Sequence, residues 1–190
     1  RFFDNYPEKT RELVYIQIAP PSREDIGSYQ KIRAELEQKA GQINGARSEV
    51  DMVPVRYVNR GYSQAELFGF YRASKIGLVT PLRDGMNLVA KEYVAAQDPA
   101  DPGALVLSQF AGAAEEMPDA LIVNPYDIDE MARKLHEALT MPLEERQRRH
   151  AALYDNVVRY DARAWLTAFL ATLESLGEDG GGLASASVTA

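Results

Sequence analysis

The sequence has 190 residues, 46% of them hydrophobic and 26% charged, and its formal net charge is −7. This length and composition predict one soluble globular domain with a substantial core. The negative charge argues against nucleic-acid binding, and the lack of cysteine excludes disulfides, thiolate metal sites and a cysteine nucleophile. No apolar run is long enough to span a membrane, and no signal peptide is visible, so we expect a cytoplasmic protein without a membrane partner.

The first residues, Arg1 to Tyr6, are typical of the end of a helix that stops before Pro7. A domain rarely begins on the end of a helix. We therefore expect the chain to be the C-terminal part of a longer protein.

Apolar runs and helical spacings then alternate along the chain. Apolar runs predict strands at 13–19, 53–58, 75–80, 104–108 and 121–123. Amphipathic spacing and capping signals predict helices at 28–43, 63–73, 127–139 and 161–176, with others after Asn87 and around His150. This alternation predicts an α/β fold with a doubly wound parallel sheet. We expect one domain over 1–160, a C-terminal helix over 161–176 and a disordered tail over 177–190.

Several residues whose side chains could bind a metal or a ligand have simpler structural interpretations. His136 and His150 share no ligand spacing with each other or with a carboxylate cluster, so we predict surface histidines and no metal site. The basic run 146–149 is expected to be a solvated helix face. Trp165 is expected to be a packing anchor of the last helix.

The most informative stretch is 80–95, TPLRDGMNLVAKEYVA. It follows the apolar run 76–79, passes through a polar turn at Asp84 and Gly85, and has helical character from Asn87 onward. A strand, a glycine-containing turn and a helix start together direct free backbone N–H groups toward an anion.

Glu92 is unusual within this predicted helix. Its neighbours at helical spacing are apolar: Leu88, Val89, Ala95 and Ala96. A carboxylate on such a stripe needs a partner or a ligand, unless it sits at the helix edge and reaches water. The pattern alone leaves both interpretations open.

Two further candidates lie in loops that follow predicted strands, where ligands of open α/β sheets bind. Arg23 has the planar donors that suit a phosphate, although a solvated loop arginine is the simpler alternative. Tyr62 can be either a ligand contact or a packing residue. The loops carrying Arg23, Tyr62 and Asp84 should converge on one edge of the sheet and form a shared cleft.

The stretch TPLRDGMNLVAKEYVAAQ, followed in order by VLSQFAGAAEE and ALIVNPYDIDEMA, resembles the trehalose-6-phosphate synthases, which are retaining glucosyltransferases of glycosyltransferase family 20. The resemblance runs from about Phe2 to about Leu176. It implies the Rossmann-like, nucleotide-sugar-binding C-terminal half of a two-domain GT-B enzyme. It also implies that the first strand of this domain and the whole N-terminal domain, a partner within the same protein, lie upstream.

The family reaction moves glucose from UDP-glucose to the anomeric hydroxyl of glucose 6-phosphate. By resemblance, the N–H groups of Leu88 and Val89 meet the diphosphate and Glu92 accepts the ribose hydroxyls. Asp84 and the 85–87 backbone hold the transferred glucose. The whole implied donor set is Tyr62, Asp84, Gly85, Met86, Asn87, Leu88, Val89, Ala90, Lys91 and Glu92. Arg23 matches the arginine that holds the acceptor phosphate.

The resemblance implies no protein nucleophile, because the departing phosphate is proposed to help deprotonate the acceptor. No metal-ligand cluster is visible in the sequence, and we expect no metal or cofactor. No chemistry is assigned to 109–114, although this segment lies near the donor site in the family. The arginine and lysine that clamp the UDP phosphates lie upstream of Arg1. We therefore expect the isolated chain to be inactive and to bind UDP-sugar weakly.

Other functions remain open at this stage. A sister transferase such as glucosylglycerol-phosphate synthase would use glycerol 3-phosphate, and a non-catalytic nucleotide-sugar-binding module would keep the fold. A flavodoxin-like or receiver domain is disfavoured because no acidic cluster follows an early strand. The sequence does not distinguish UDP from GDP or ADP, and it is compatible with a homo-oligomer.

Overall fold

Strands and helices alternate in the computed structural model, which describes residues 1–20 and 27–180, apart from the side chains of 27, 28 and 177–180. The strands are β1 (Tyr15–Ile18), β2 (Val55–Val58), β3 (Ile76–Val79), β4 (Ala104–Ser108) and β5 (Leu121–Val123). The helices are α1 (Phe2–Asn5), α2 (Gly27–Arg47), α3 (Gln64–Ala73), α4 (Leu88–Ala96), α5 (Ala113–Glu116), α6 (Ile128–Thr140), α7 (Leu143–Arg159) and α8 (Ala162–Gly180), with a 3-10 helix at Pro7–Arg11. The predicted α/β class is confirmed.

All strand pairs are parallel, as predicted, but the strands form two sheets. One sheet is β1–β2, with Tyr15 opposite Val55, and the other is β3–β4–β5, with Ile76 opposite Ala104. Within 1–20 and 27–180, β1 and β3 do not pair. The predicted winding is therefore present, with an interruption between its two halves.

The core surrounds β4, which is buried at every position. One of its faces packs against α4 and α7 through Tyr93, Val94 and Leu153, and against Met117, which directly follows α5. The other face packs against α6 through Ala138 and partly buried neighbours. Because both faces of the strand are covered, its sequence is a continuous apolar run rather than an alternating one.

Side chains predicted to begin helices do so. The Ser63 hydroxyl accepts a hydrogen bond from the Glu66 N–H, and the Glu66 carboxylate accepts one from the Ser63 N–H, which confirms the predicted capping box of α3. Asp127 caps α6 by accepting from the Glu130 N–H at 2.8 Å. These caps fix the starts of α3 and α6 just after the carboxyl ends of β2 and β5.

The prediction that His150 is a surface residue is wrong. His150 is buried, and its Nε2 lies 3.1 Å from the carbonyl oxygen of Val94. It shares the inward face of α7 with Leu153 and Val157, which follow at helical spacing. His136 is half-buried and stacks on Tyr6, with 4.0 Å between ring centroids. The run 146–149 is not simply solvated, because its arginines pair with Asp101, Asp119 and Glu145.

The last helix has exposed apolar side chains. Trp165 is 56% exposed and stacks on Phe169 of the same helix at 5.3 Å, so its predicted role as a packing anchor is not seen within the described chain. The helix continues to Gly180, past the predicted end at Leu176. Residues 181–190, the rest of the predicted tail, lie outside the described residues. In the parts of the chain that the structure describes, no helix combines the length and apolarity needed to cross a membrane.

Candidate functional site

The candidate site is built on the turn between β3 and α4, at the carboxyl end of the larger sheet. The Asp84 carboxylate accepts hydrogen bonds from the Met86 N–H at 3.1 Å and from the Asn87 side-chain amide at 3.0 Å. These two hydrogen bonds close the turn around the Asp84 carboxylate. Asp84 therefore shapes the turn, in addition to any contact with a ligand.

Asn87 joins this turn to α4. Its backbone is left-handed, with φ 78° and ψ 86°, and no other non-glycine residue in 1–20 or 27–180 has a positive φ. Asparagine tolerates this conformation better than most residues. Its Oδ1 accepts a hydrogen bond from the Ala90 N–H at 2.9 Å, which caps the helix.

The cap leaves the first amides of the helix available. The first N–H groups of an α-helix have no intrahelical acceptor, and Asn87 occupies only that of Ala90. The N–H groups of Leu88 and Val89 remain at the positive end of the helix dipole. The geometry predicted from the sequence, a helix start with free backbone N–H groups, is thus present in the structure. That an anion binds there stays a prediction.

A second loop, 109–113, holds this turn from outside. The Asp84 N–H donates to the Phe110 carbonyl at 3.1 Å, and the N–H groups of Gly112 and Ala113 donate to the carbonyls of Asp84 and Met86 at 3.0 and 2.7 Å. A Cβ on Gly112 would collide with the Gly85 carbonyl. Sequence reasoning assigned this loop no chemistry. The glycine between two alanines was its one available signal of close backbone approach.

Glu92 is half-buried on α4, one turn after the helix start. Within the described ranges, its carboxylate makes no hydrogen bond or ion pair. Its charge acts on Tyr71, whose pKa is raised first by burial and second by this carboxylate. The structure thus removes one alternative, a protein partner from the described residues. The carboxylate remains available to accept hydrogen bonds from a ligand or from water.

Lys91 and Ala90 have different roles from Glu92. The Lys91 ammonium forms an ion pair with Glu116 and donates to the Tyr160 carbonyl at 3.3 Å. Ala90 is fully buried and offers the site only its backbone. Apolar side chains around the turn are exposed: Leu82, Met86, Leu88, Val89 and Phe110. An apolar rim around a few polar groups is typical of ligand pockets and docking surfaces.

Tyr62 lies at the amino end of α3, the helix that packs beside α4. Its ring meets Phe70 edge-on at 5.0 Å, and the Arg60 guanidinium lies 4.6 Å from its ring centroid. Contact with Tyr62 is also the main reason why the pKa of Arg60 is raised. These contacts fix the ring beside the sheet edge. They are compatible with both a packing role and a ligand role.

Arg23 lies outside the described residues. Beside the carboxyl ends of β1 and β2, an open cavity of about 600 Å³ is lined by Pro20, Tyr29, Tyr57 and Asn59, among others. In the described ranges, no group of three or more histidine or acidic side chains is placed to hold a metal ion.

Comparison with known proteins gives a consistent result. The family model for glycosyltransferase family 20 matches residues 1–175. A trehalose-6-phosphate synthase from Salmonella arizonae is 53% identical over 173 residues, which is 91% of this chain and 37% of the relative. The chain thus spans little more than a third of the length of such relatives.

Solved structures agree. One from E. coli, bound with UDP-2-fluoro glucose, is 53% identical to this chain, with a TM-score of 0.88. The match covers 90% of this chain and 38% of the E. coli chain. Another is a UDP-forming α,α-trehalose-phosphate synthase from Burkholderia xenovorans in complex with glucose-6-phosphate. It is 48% identical to this chain, with a TM-score of 0.89, and the match covers 92% of this chain and 38% of the Burkholderia chain.

Proposed function

Because this chain belongs to glycosyltransferase family 20, we propose that it forms most of the donor site of a trehalose-6-phosphate synthase. The whole enzyme would move glucose from UDP-glucose to glucose 6-phosphate and release α,α-trehalose 6-phosphate and UDP. The observation that carries the proposal is the helix start at Asn87, where a cap on Ala90 leaves the amides of Leu88 and Val89 available to an anion.

Each proposed donor contact uses a group whose geometry suits it. The Leu88 and Val89 amides would receive the diphosphate, because they combine free donors with the positive end of the helix. The Glu92 carboxylate, which has no partner in the described ranges, would accept hydrogen bonds from two ribose hydroxyls. The turn 84–87, closed by Asp84 and Asn87, would hold the transferred glucose through its backbone. Tyr62 would lie beside the nucleoside.

The chemistry follows from these roles. The bond between the anomeric carbon of glucose and the diphosphate oxygen breaks, and the anomeric oxygen of glucose 6-phosphate bonds to that carbon. The acceptor proton passes to the departing phosphate oxygen, so no protein nucleophile is used. Charge that develops on the leaving diphosphate is stabilised by helix amides that are already in place. Arg23 would hold the acceptor phosphate, which orients the attacking hydroxyl.

Support for glucose 6-phosphate comes from the relatives. They are trehalose-phosphate synthases, and the Burkholderia structure contains glucose-6-phosphate. A glycerol 3-phosphate transferase or a non-catalytic module is therefore not favoured. Both proposed substrates are charged, phosphorylated metabolites that do not cross membranes unaided, so we also propose that the enzyme works in the cytoplasm.

The split sheet supports a proposal about the rest of the domain. A doubly wound fold with strand order 3-2-1-4-5-6 contains β2–β1 and β3–β4–β5 as its two halves, with one strand between them. We propose that a strand from further upstream in the longer protein fills this slot. The domain would then comprise that strand and residues 1–160, followed by the helix at 161–176.

Calorimetric titration of UDP and UDP-glucose tests the donor site. We expect weak binding to the chain, because the phosphate clamp is proposed to lie upstream, and a further loss of about tenfold in Glu92→Ala. Glu144→Ala, which removes an exposed glutamate of α7, is the matched control and should bind like the unaltered chain. Equal binding by Glu92→Ala would contradict the role of Glu92. If neither the chain nor a version extended upstream bound UDP, the donor-site proposal would be wrong.

Hydrogen exchange tests the slot. Tyr15 and Ala19 direct their N–H groups to β2, and Ala104 directs its N–H to the Lys75 carbonyl. By the alternation of a strand, the amides of Ile16, Ile18, Ile76 and Leu78 face away from the existing partners. They should exchange quickly in this chain and slowly in a version extended upstream. Equal exchange in both would contradict the inserted strand.

A further inference from the structure

Lys91 belongs to the donor-site stretch, yet its ammonium group is bound to residues outside it. It contacts the carboxylate of Glu116 in α5 and donates to the carbonyl oxygen of Tyr160, at the end of α7, at 3.3 Å. The Lys91 side chain is only 16% exposed. One ammonium group therefore joins three helices, α4, α5 and α7.

Both partners of Lys91 are stabilised by its ammonium group. The Oε2 atom of Glu116 is buried, although its side chain as a whole is 37% exposed, and among the described residues only Lys91 is in ionic contact with this atom. A buried carboxylate oxygen without a counter-ion is costly. Tyr160 is the C-cap residue of α7, at the end of the helix where carbonyls lack intrahelical donors and the helix dipole is negative. A lysine there is a favourable C-terminal cap.

The contact between Lys91 and Tyr160 lies at the base of the next helix, α8. Helix α8 begins at Ala162, and Asp161 caps it by accepting from the Ala164 N–H at 2.8 Å. The apolar side chains of α8, including Trp165, are exposed along its described length. The direction of α8 is therefore set mainly at its base, beside the carbonyl that Lys91 binds.

We propose that Lys91 is a positioning residue that ties the donor helix α4 to the junction between α7 and α8. A nucleotide at the start of α4 and the placement of α8 would then affect each other, because Lys91 lies one turn from Leu88 on the same rigid helix. The tether needs no ligand. The coupling to nucleotide rests on the proposed function.

The tether can be tested without ligand, because Trp165 is the one tryptophan of the sequence and lies in α8. Time-resolved fluorescence anisotropy of this residue reports nanosecond motion of the helix base. We expect Lys91→Met to raise the amplitude of fast depolarisation by about twofold and Lys91→Arg to leave it nearly unchanged. Lys134→Met, which removes the Lys134–Glu137 ion pair of α6, is the matched control and should behave like the unaltered chain.

A double variant separates the effect of Lys91 on the motion of α8 from its effect on the thermal stability of the chain. Lys91→Met with Glu116→Gln removes the partly buried carboxylate charge together with its counter-ion, so it should regain part of the thermal stability that Lys91→Met alone loses. It should not regain the restraint on Trp165, since the contact with the Tyr160 carbonyl is still absent. Unchanged depolarisation in Lys91→Met, or full recovery in the double variant, would overturn the tether.

Titration with UDP then tests the coupling. We expect UDP to reduce Trp165 motion in the unaltered chain and to bind Lys91→Met roughly threefold to tenfold more weakly, without a Trp165 response. Equal UDP affinity and an equal response in Lys91→Met would overturn the coupling and leave the donor site standing. Failure of both the unaltered chain and a version extended upstream to bind UDP at millimolar concentration would instead count against the donor site, and with it the coupling, while the ligand-free result for the tether would stand.

Discussion

Among single residues, Asn87 connects the turn at 84–87 to the start of α4. It holds a left-handed backbone, which costs most residues about 1 kcal/mol or more. Its side chain donates to Asp84 and accepts from the Ala90 N–H. These two bonds offset the backbone cost and connect the turn to the helix.

Two substitutions separate these contributions. Asn87→Gly loses both side-chain bonds but adopts a positive φ easily, so we expect a loss of about 1 kcal/mol in the free energy of unfolding. Asn87→Ala also has an unfavourable backbone, so we expect a loss of about 2 kcal/mol. Urea unfolding of the two variants measures the difference. A loss in Asn87→Ala no larger than in Asn87→Gly would show that the backbone conformation contributes little.

Sequence reasoning reached part of this site. It identified the helix start, the free amides there and the unusual carboxylate of Glu92, because each depends on residues close together in the chain. It could not predict the left-handed Asn87, because the turn is shaped by bonds to Phe110, Gly112 and Ala113, much later in the sequence. The partners of Lys91 were missed for the same reason.

At the level of secondary-structure elements, α4 is set on β3 by a close contact between a ring and a backbone. The Tyr93 ring packs directly over Gly77, and its hydroxyl donates to the Ser74 carbonyl at 3.1 Å. A Cβ at Gly77 would lie 2.7 Å from the ring carbons. This contact fixes the helix that presents the candidate anion site.

We therefore predict that Gly77→Ala is destabilised by about 2 kcal/mol, because either the ring or the strand must move. The matched control is Gly69→Ala in α3, where an added methyl group meets no atom within 4 Å. That change should stabilise the chain by about 0.5–1 kcal/mol, since alanine is the better helix former. Chemical unfolding of both variants checks the pair, and similar effects in the two would contradict the packing argument.

Helix α7 carries a pH-dependent contribution. Arg148 and Arg149 donate to the Glu145 carboxylate, which lowers its pKa from 4.5 to about 2. A lowered carboxylate pKa adds stability that is complete above about pH 4.5 and is lost as the pH falls toward about 2. We expect Glu145→Gln to be less stable than the unaltered chain at neutral pH. The free energies of unfolding of the two proteins should converge as the pH falls through this range. A constant difference between them would contradict the assignment.

The element pattern itself was largely predictable. The bounds of β4 and β5 agree with their apolar runs, and the capping signals of α3 and α6 are local. The buried His150 was not predicted, because the arginines that precede it in sequence indicated a solvated helix face, whereas its ring contacts the Val94 carbonyl of α4. The split between β1 and β3 was also beyond sequence patterns, which reveal strands but not which edges remain unpaired.

For the whole molecule, we predict that the isolated chain forms no trehalose 6-phosphate from UDP-glucose and glucose 6-phosphate. The chain spans 37% of its Salmonella relative, and the acceptor domain and phosphate clamp are proposed to lie in the remainder. An assay for released UDP checks this, with a version extended upstream as the positive control. Turnover by the chain alone would mean that the proposed division of the site is wrong.

The division into two sheets also affects how the two substrates would be bound. Both clusters of the core draw on residues from Tyr71 onward, whereas β1 and β2 lie outside them. The turn at 84–87 therefore stands on a firmly packed base, and the strand that leads toward Arg23 does not. If Arg23 holds the acceptor phosphate as proposed, acceptor binding by this chain, in which β1 and β3 do not pair, would include the cost of ordering β1. We expect an excluded osmolyte such as sucrose, which favours compact states, to raise the apparent affinity for the acceptor more than that for the donor.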